Sequence, residues 1–143
     1  MTIGTPSSES VTADVEMRIL LDSGLSAPMP CTFTYGLSDP FAVSAAFRHS
    51  DGQVVWVFAR ELLRQGLVES AGEGDIQVRP VTIGGRALVQ LTLSSPGGRA
   101  VLHAQRDEVA SFLLASQELL PEGDEWRHLN FDSGLAEMLG DNS

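Results

Sequence analysis

Residues 54–67 read Val54-Val55-Trp56-Val57-Phe58-Ala59-Arg60-Glu61-Leu62-Leu63-Arg64-Gln65-Gly66-Leu67, and the hydrophobic period changes inside this stretch. Val54 to Phe58 is a continuous apolar run, and as an extended chain it lines up Val54, Trp56 and Phe58 on one face of a strand. From Ala59 the apolar positions Leu62, Leu63 and Leu67 stand at i, i+1 and i+5, a spacing compatible with a short helix, and Gly66 lies near its end. A strand therefore leads directly into a helix.

Working back from there, His49-Ser50-Asp51-Gly52 is a hairpin turn, because Asp-Gly readily takes positive φ values. Before it, Phe41, Val43, Ala45 and Phe47 mark a strand, and Gly36 to Pro40 is a loop. Met29, Cys31, Phe33 and Tyr35 alternate with Pro30, Thr32 and Thr34, with Pro30 near the strand's start. Val11, Ala13, Val15, Met17, Ile19 and Leu21 oppose Thr12, Asp14, Glu16 and Arg18 in the first strand. Working forward, Ser70 to Gly74 is a polar loop, and Ile76 and Val78 open a strand that runs past Pro80 to Ile83. Gly84-Gly85 is a two-residue hairpin. Ala87, Val89, Leu91 and Leu93 form the next strand, Ser95 to Gly98 turns the chain, and Arg99 to Ala104 returns.

Asp107 to Leu120 is the strongest helix: Val109, Phe112, Leu113, Ser116, Leu119 and Leu120 fall at helical spacing. Asp107 and Glu108 occupy its first turn, where carboxylates meet the positive end of the dipole, and Pro121 and Gly123 stop it. A final short helix is expected over Asp132 to Leu139. The predicted class is α+β: mostly antiparallel sheets of about seven strands, in a strands-helix-strands-helix order, with the helices segregated to one side. The expected organisation is a flexible tail over residues 1–10 and a single domain over 11–143. Met1 to Ser10 is polar, with neither the basic nor the apolar region of a signal peptide.

The chain has 143 residues, 43% of them hydrophobic, enough for one packed core. One Cys rules out an intramolecular disulfide and a Cys-based zinc site. No apolar run reaches the roughly 20 residues of a membrane helix. These features predict a cytoplasmic protein without direct membrane insertion. Nine Arg, no Lys and nineteen acidic residues give a net charge of −10. Residues 107–143 hold nine acids and the single base Arg127, a net of 1 − 9 = −8. That density has two readings, solubility or an acidic docking surface for a basic partner. Either argues against general nucleic-acid binding, which needs a basic stripe to displace counterions from phosphates.

No nucleophile elbow, phosphate-binding loop, zinc-protease helix or dinucleotide fingerprint occurs. His49, His103 and His128 are far apart in sequence, so no metal site is expected. Cys31 lies between Met29 and Phe33 on an apolar face and reads as a small buried hydrophobe. The pair Asp124-Glu125 reads as a solvated cap beside a turn, and no calcium-loop pattern is present. No catalytic, cofactor-binding or metal-ligating residue is assigned, and no cofactor. Trp56 is expected in the core. Trp126 either clamps the C-terminal segment onto the sheet or stands at an interface, where Trp and Arg are enriched. The candidate partner-binding residues are Glu122, Asp124, Glu125, Trp126 and Arg127.

Several short motifs share an order. They are Met29-Pro30-Cys31-Thr32-Phe33-Thr34-Tyr35 with Ser38-Asp39-Pro40-Phe41-Ala42-Val43; Val55 through Leu63; Gly72 through Val78-Arg79-Pro80; and Gly123-Asp124-Glu125-Trp126. Together they resemble the SsgA-like family of sporulation and cell-division proteins of filamentous actinomycetes, most like its SsgB type, across about residues 11–139. The resemblance implies a non-enzymatic regulator that brings the tubulin-like GTPase FtsZ to septum sites and promotes its assembly, helped by an SsgA-type paralogue. It implies a location at the division septum and a homo-oligomer, a homotrimer. It also implies a fold similar to whirly-type single-strand DNA binders and guide-RNA-binding proteins, a likeness that assigns no function by itself. The competing class, a single-stranded nucleic-acid-binding module, requires Arg48, Arg60, Arg64, Arg79, Arg86 and Arg99 to converge.

Overall fold

The computed structural model describes residues 2–3, 9–72 and 74–128. The strands are β1 (Thr2–Ile3), β2 (Ser10–Leu20), β3 (Ser26–Gly36), β4 (Ala42–His49), β5 (Gly52–Ala59), β6 (Ile76–Ile83), β7 (Arg86–Ser95) and β8 (Gly98–Gln105). Helix α1 (Arg60–Gln65) follows β5, helix α2 (Arg106–Leu119) follows β8, and a 3-10 turn covers Glu125–His128. The α+β class and the strands-helix-strands-helix order are those read from the sequence.

All the pairings are antiparallel, in the order β5-β4-β3-β2-β8-β7-β6 with β1 beside β2. Strand β2 joins two meanders. It pairs with β3 from Ser10↔Gly36 to Leu20↔Ser26, but with β8 only at Met17, Ile19 and the Arg18 between them. Period-two alternation puts Val11, Ala13, Val15 and Met17 on one face with Cys31, Phe33, Tyr35, Val43, Ala45 and Phe47, all buried. From the second meander Val78, Val89, Leu91 and Leu102 complete the same face. Helix α2 covers it, contacting β2, β3, β7 and β8. Phe112 of α2 meets Phe33 edge-on at 5.3 Å, and Phe33 meets Phe58 at 6.5 Å.

Three local features depart from the expectation. Strand β3 begins at Ser26, not Met29, and runs through Pro28 and Pro30. There β2 is its neighbour but β4, which pairs only with Cys31–Tyr35, is not. A missing N–H is tolerated where one side of a strand is unpaired. Trp56 is half-buried against the core's rim and Val54 is exposed, because β5 is the sheet's edge. Thr2 and Ile3, inside the segment read as a tail, lie on β2 opposite Asp14 and Ala13. The short helix expected over Asp132 to Leu139 lies outside the described residues.

Gly66 closes α1 with an ordinary φ of −66°. Its lack of a side chain matters for packing: a Cβ there would stand 2.6 Å from Val78 Cβ. Gly66→Ala is expected to lower stability by about 1–3 kcal/mol through overpacking. The measurement is a urea midpoint that falls at unchanged m-value; an unaltered midpoint would show that β6 yields freely.

Candidate functional site

Arg60 is the first residue of α1, and its N–H donates to Phe41 O at 2.8 Å. Its side chain turns inward and is only 1% exposed. Nη1 donates to Leu120 O at 2.9 Å, to Ser116 O at 3.2 Å and to Ser116 Oγ at 3.3 Å. These carbonyls lie at the C-terminal end of α2, where the dipole favours a cation; Ser116 O also accepts from Leu120 N at 2.9 Å, and Leu120 O lies past the last helical turn. Nη2 donates to Glu125 Oε2 at 2.9 Å. The guanidinium carbon lies 4.3 Å from the Tyr35 ring centroid, a cation–π contact in a desolvated setting. Tyr35 in turn donates its hydroxyl to Pro40 O at 2.9 Å.

Glu125 also accepts from Gly123 N at 2.6 Å, across a turn that Gly123 makes with φ +97°. Burial pushes the Glu125 carboxyl up. The Arg60 hydrogen bond and the N–H groups of Glu125 and Gly123 outweigh it, so the group is held below its ordinary 4.5. Burial raises the Tyr35 phenol.

A second, more exposed layer lies over this pair. Arg64 donates from Nε to Glu61 Oε2 at 2.8 Å, from Nη2 to Glu61 Oε1, and reaches Glu122 Oε2 at 3.0 Å. Gln117 grips Glu122 twice, donating to its Oε1 at 2.6 Å and accepting from its N–H at 2.8 Å. The Arg64 hydrogen bond lowers Glu61, whereas burial and the neighbouring Glu61 charge raise Glu122 against the pull of Arg64.

The five candidate residues are thus gathered by one turn but separated by role. Glu125 points in and is largely buried, so it is an anchor and not the solvated cap its sequence context implied. Glu122 is held by Arg64 and Gln117. Asp124 and Arg127 form a loose rim pair at 3.9 Å. Trp126 points out, 60% exposed, with its ring 5.1 Å from that of Phe41, itself exposed. Sequence reasoning missed Arg60, Tyr35 and Phe41 as parts of this site. The available signal was an Arg opening a helix directly behind a buried strand.

Elsewhere the chemistry is sparse. Cys31 is buried, and that burial, against Arg48 and with Asp14, pushes its thiol up to about 12. His49 Nδ1 accepts from Asp51 N within its turn, and His103 is 3.0 Å from Gln90. Among the described residues no three His, Cys, Asp or Glu form a metal-binding group. A hollow of about 620 Å³ near the β3–β4 connection is lined by Thr34, Ser38 and Ser44 with the carboxylates Glu9 and Asp39. The six arginines do not converge. Arg60 is buried, Arg64 is tied to Glu61 and Glu122, and Arg48 is bound to Thr32 and Asp14. Arg79, Arg86 and Arg99 lie on the sheet's outer face.

The SsgA family, described as the Streptomyces sporulation and cell division protein SsgA, matches residues 29–125. The chain belongs to this family. The sporulation-specific cell division protein SsgB of Kineococcus radiotolerans is 45% identical over 131 residues, 90% of this chain and 79% of that protein. The SsgB of Streptomyces coelicolor is 37% identical and matches over 92% of this chain and 97% of its own length. The crystal structure of an SsgA-like sporulation-specific cell division protein from Thermobifida fusca superposes with a TM-score of 0.82 at 36% identity, covering 94% of this chain and all of that one. Arg60, Tyr35, Phe41 and Glu125 all fall inside the segment that the SsgA family matches.

Removing one partner of a buried ion pair leaves the other uncompensated, at about 3–5 kcal/mol. Glu125→Ala is therefore expected to destabilise the fold by that order. The pH dependence has a definite sign. A carboxyl held below 4.5 in the folded state stabilises above that value and loses its contribution as pH falls through the folded pKa. In urea unfolding the gap between parent and Glu125→Ala should be constant near neutrality and shrink below about pH 4.5. A gap independent of pH would remove the charge from the explanation.

Proposed function

We propose that this protein acts without covalent chemistry, recruiting FtsZ to the septum sites of sporulating cells and promoting its assembly. The observation that carries the reading is Trp126. It is exposed on Phe41, while the residue before it is locked to a buried guanidinium. A rigid outward aromatic with a polar rim is the anatomy of an interface hot spot. Glu122, Asp124 and Arg127 supply that rim and Glu125 holds it in place. Family membership supports the setting, since the relatives are named as sporulation-specific cell division proteins.

The sheet edges support the same reading. Edge strand β5 carries no charge and no Pro, and Val54, Val55 and Val57 are exposed along it. The opposite edge, β6, carries Arg79 and Pro80 and is bridged by Ala71 at Val78. An open apolar edge invites pairing with another chain. We infer a homotrimer built through β5, with an SsgA-type paralogue as a further partner. Several copies of the Trp126 patch in one assembly raise the effective concentration of bound FtsZ subunits and so favour filament nucleation. Among the described residues no helix is long and apolar enough to cross a membrane, so in this reading placement at the cytoplasmic side of the septum comes through protein partners.

Light scattering of purified FtsZ with GTP tests this. The protein is expected to shorten the lag and raise filament mass. Trp126→Ala should weaken binding to FtsZ at least tenfold, about 1.4 kcal/mol or more, while losing only about 0.5–1.5 kcal/mol of fold stability with the Phe41 contact. Scattering that does not respond to the protein, or responds equally to Trp126→Ala, would contradict the proposal.

A further inference from the structure

The outer face of β6, β7 and β8, which α2 does not cover, concentrates positive charge in an acidic chain. Antiparallel register aligns Arg79, Gln90, His103 and Arg18 in one row across β6, β7, β8 and β2. A hollow of about 340 Å³ beside this row is lined by Gln77, Arg79, Gln90, Thr92 and Arg99. A neighbouring hollow of about 220 Å³ brings Arg18 and Arg86 together with His103, Ile83 and Leu88. Glu16 is the one carboxylate that lines either hollow. Among the described residues none of Arg18, Arg79, Arg86 and Arg99 forms an ion pair, whereas Arg48, Arg60, Arg64 and Arg127 all do. Burial, and to a lesser degree the neighbouring Arg79 charge, lowers the His103 pKa.

We propose that this face is a docking surface for an acidic peptide segment of a partner protein, with carboxylates alternating with aliphatic side chains. Arg18 is held by Ser26, donating to its Oγ at 2.8 Å and its O at 3.0 Å, but Arg79, Arg86 and Arg99 have no carboxylate partner among the described residues, and guanidinium groups bind carboxylates in a fixed fork geometry. The aliphatic requirement comes from Val81 and Leu88, which face the same side, and from Ile83, which is 51% exposed beside Arg86. A single-stranded nucleic acid suits the face less well. No Phe, Tyr or Trp lies on it to stack bases. A longer polyanion would also extend past four arginines into a chain of net charge −10. The surface is distinct from the Trp126 patch and does not depend on FtsZ being the partner there.

Fluorescence anisotropy on the full chain at low salt tests the proposal. The probe is a fluorescein-labelled peptide of repeated Glu-Leu-Asp-Ile units, and the control has Gln and Asn in place of the acids. The acidic peptide should bind saturably, the amide control should not, and oligo(dT) should compete poorly. Arg79→Glu with Arg99→Glu should weaken peptide binding about tenfold or more, and Arg86→Glu alone should weaken it by a smaller factor. All three arginines are exposed, so melting temperature serves as the folding check and should hold. The proposal is overturned by any of these results: absent peptide binding, equal binding of the amide control, undiminished affinity in the double variant, or tighter binding of oligo(dT). A change in oligomer mass on reversing Arg79 and Arg99 would also overturn it, because the face would then belong to a second copy of this chain.

Discussion

A single buried cation organises this molecule. Bringing the Arg60 guanidinium out of water costs several kcal/mol, and the fold offsets that with acceptors drawn from separate parts of the chain. The carbonyls of Ser116 and Leu120 come from the end of α2, the carboxylate of Glu125 from the turn beyond it, and the π face of Tyr35 from β3. Each acceptor also benefits. The helix end gains a donor for the Leu120 carbonyl beyond its last turn, and the turn gains a fixed position on the sheet. One side chain thereby ties the two strand-then-helix halves together at the Tyr35 end of β3, opposite Val11, away from the three residues of β2 that pair with β8.

This weld places the surface features. With Glu125 locked inward, the next residue is forced out, and Trp126 comes to rest on Phe41, whose carbonyl already accepts from the Arg60 backbone. Charge is sorted in the same spirit. Glu122 and Glu125 of the C-terminal turn are matched to Arg64 and Arg60 of α1, while the arginines of β6 to β8 and β2 have no matching carboxylate partner among the described residues. The molecule therefore offers an aromatic patch beside acidic groups, a cationic sheet face and an unprotected sheet edge.

Much of the fold was legible in the sequence because sheet strands advertise themselves by alternation. Val11 to Met17 and Val89 to Leu93 gave both their strands and their buried face correctly. The start of β3 was less legible because Pro28 and Pro30 read as punctuation, and only the absence of β4 beside them makes a strand possible there. Trp56 was read as core because periodicity gives a face but not a position in the sheet, and an edge strand leaves part of that face uncovered. One turn holds Glu122 to Arg127 together, but the solvated setting expected of Glu125 is not the one the fold gives it. Its partner lies 65 residues away, and no local pattern distinguishes a solvated Glu beside a turn from one aimed at a buried Arg. Phe41 and Arg60 could be seen as members of motifs, but their meeting with the Glu125–Trp126 pair is a property of the tertiary structure alone.

The role given to Arg60 is tested most directly by a double-mutant cycle on unfolding free energy, using Arg60→Met, Glu125→Leu and the two combined. Apolar replacement of both members of a buried pair is often tolerated, whereas removing one leaves a charge stranded. The expected result is a stability loss in the double variant well below the sum of the single losses, with a coupling energy of about 2–3 kcal/mol. Strictly additive losses would mean that the two groups stabilise the fold independently and that the two halves are joined by something else.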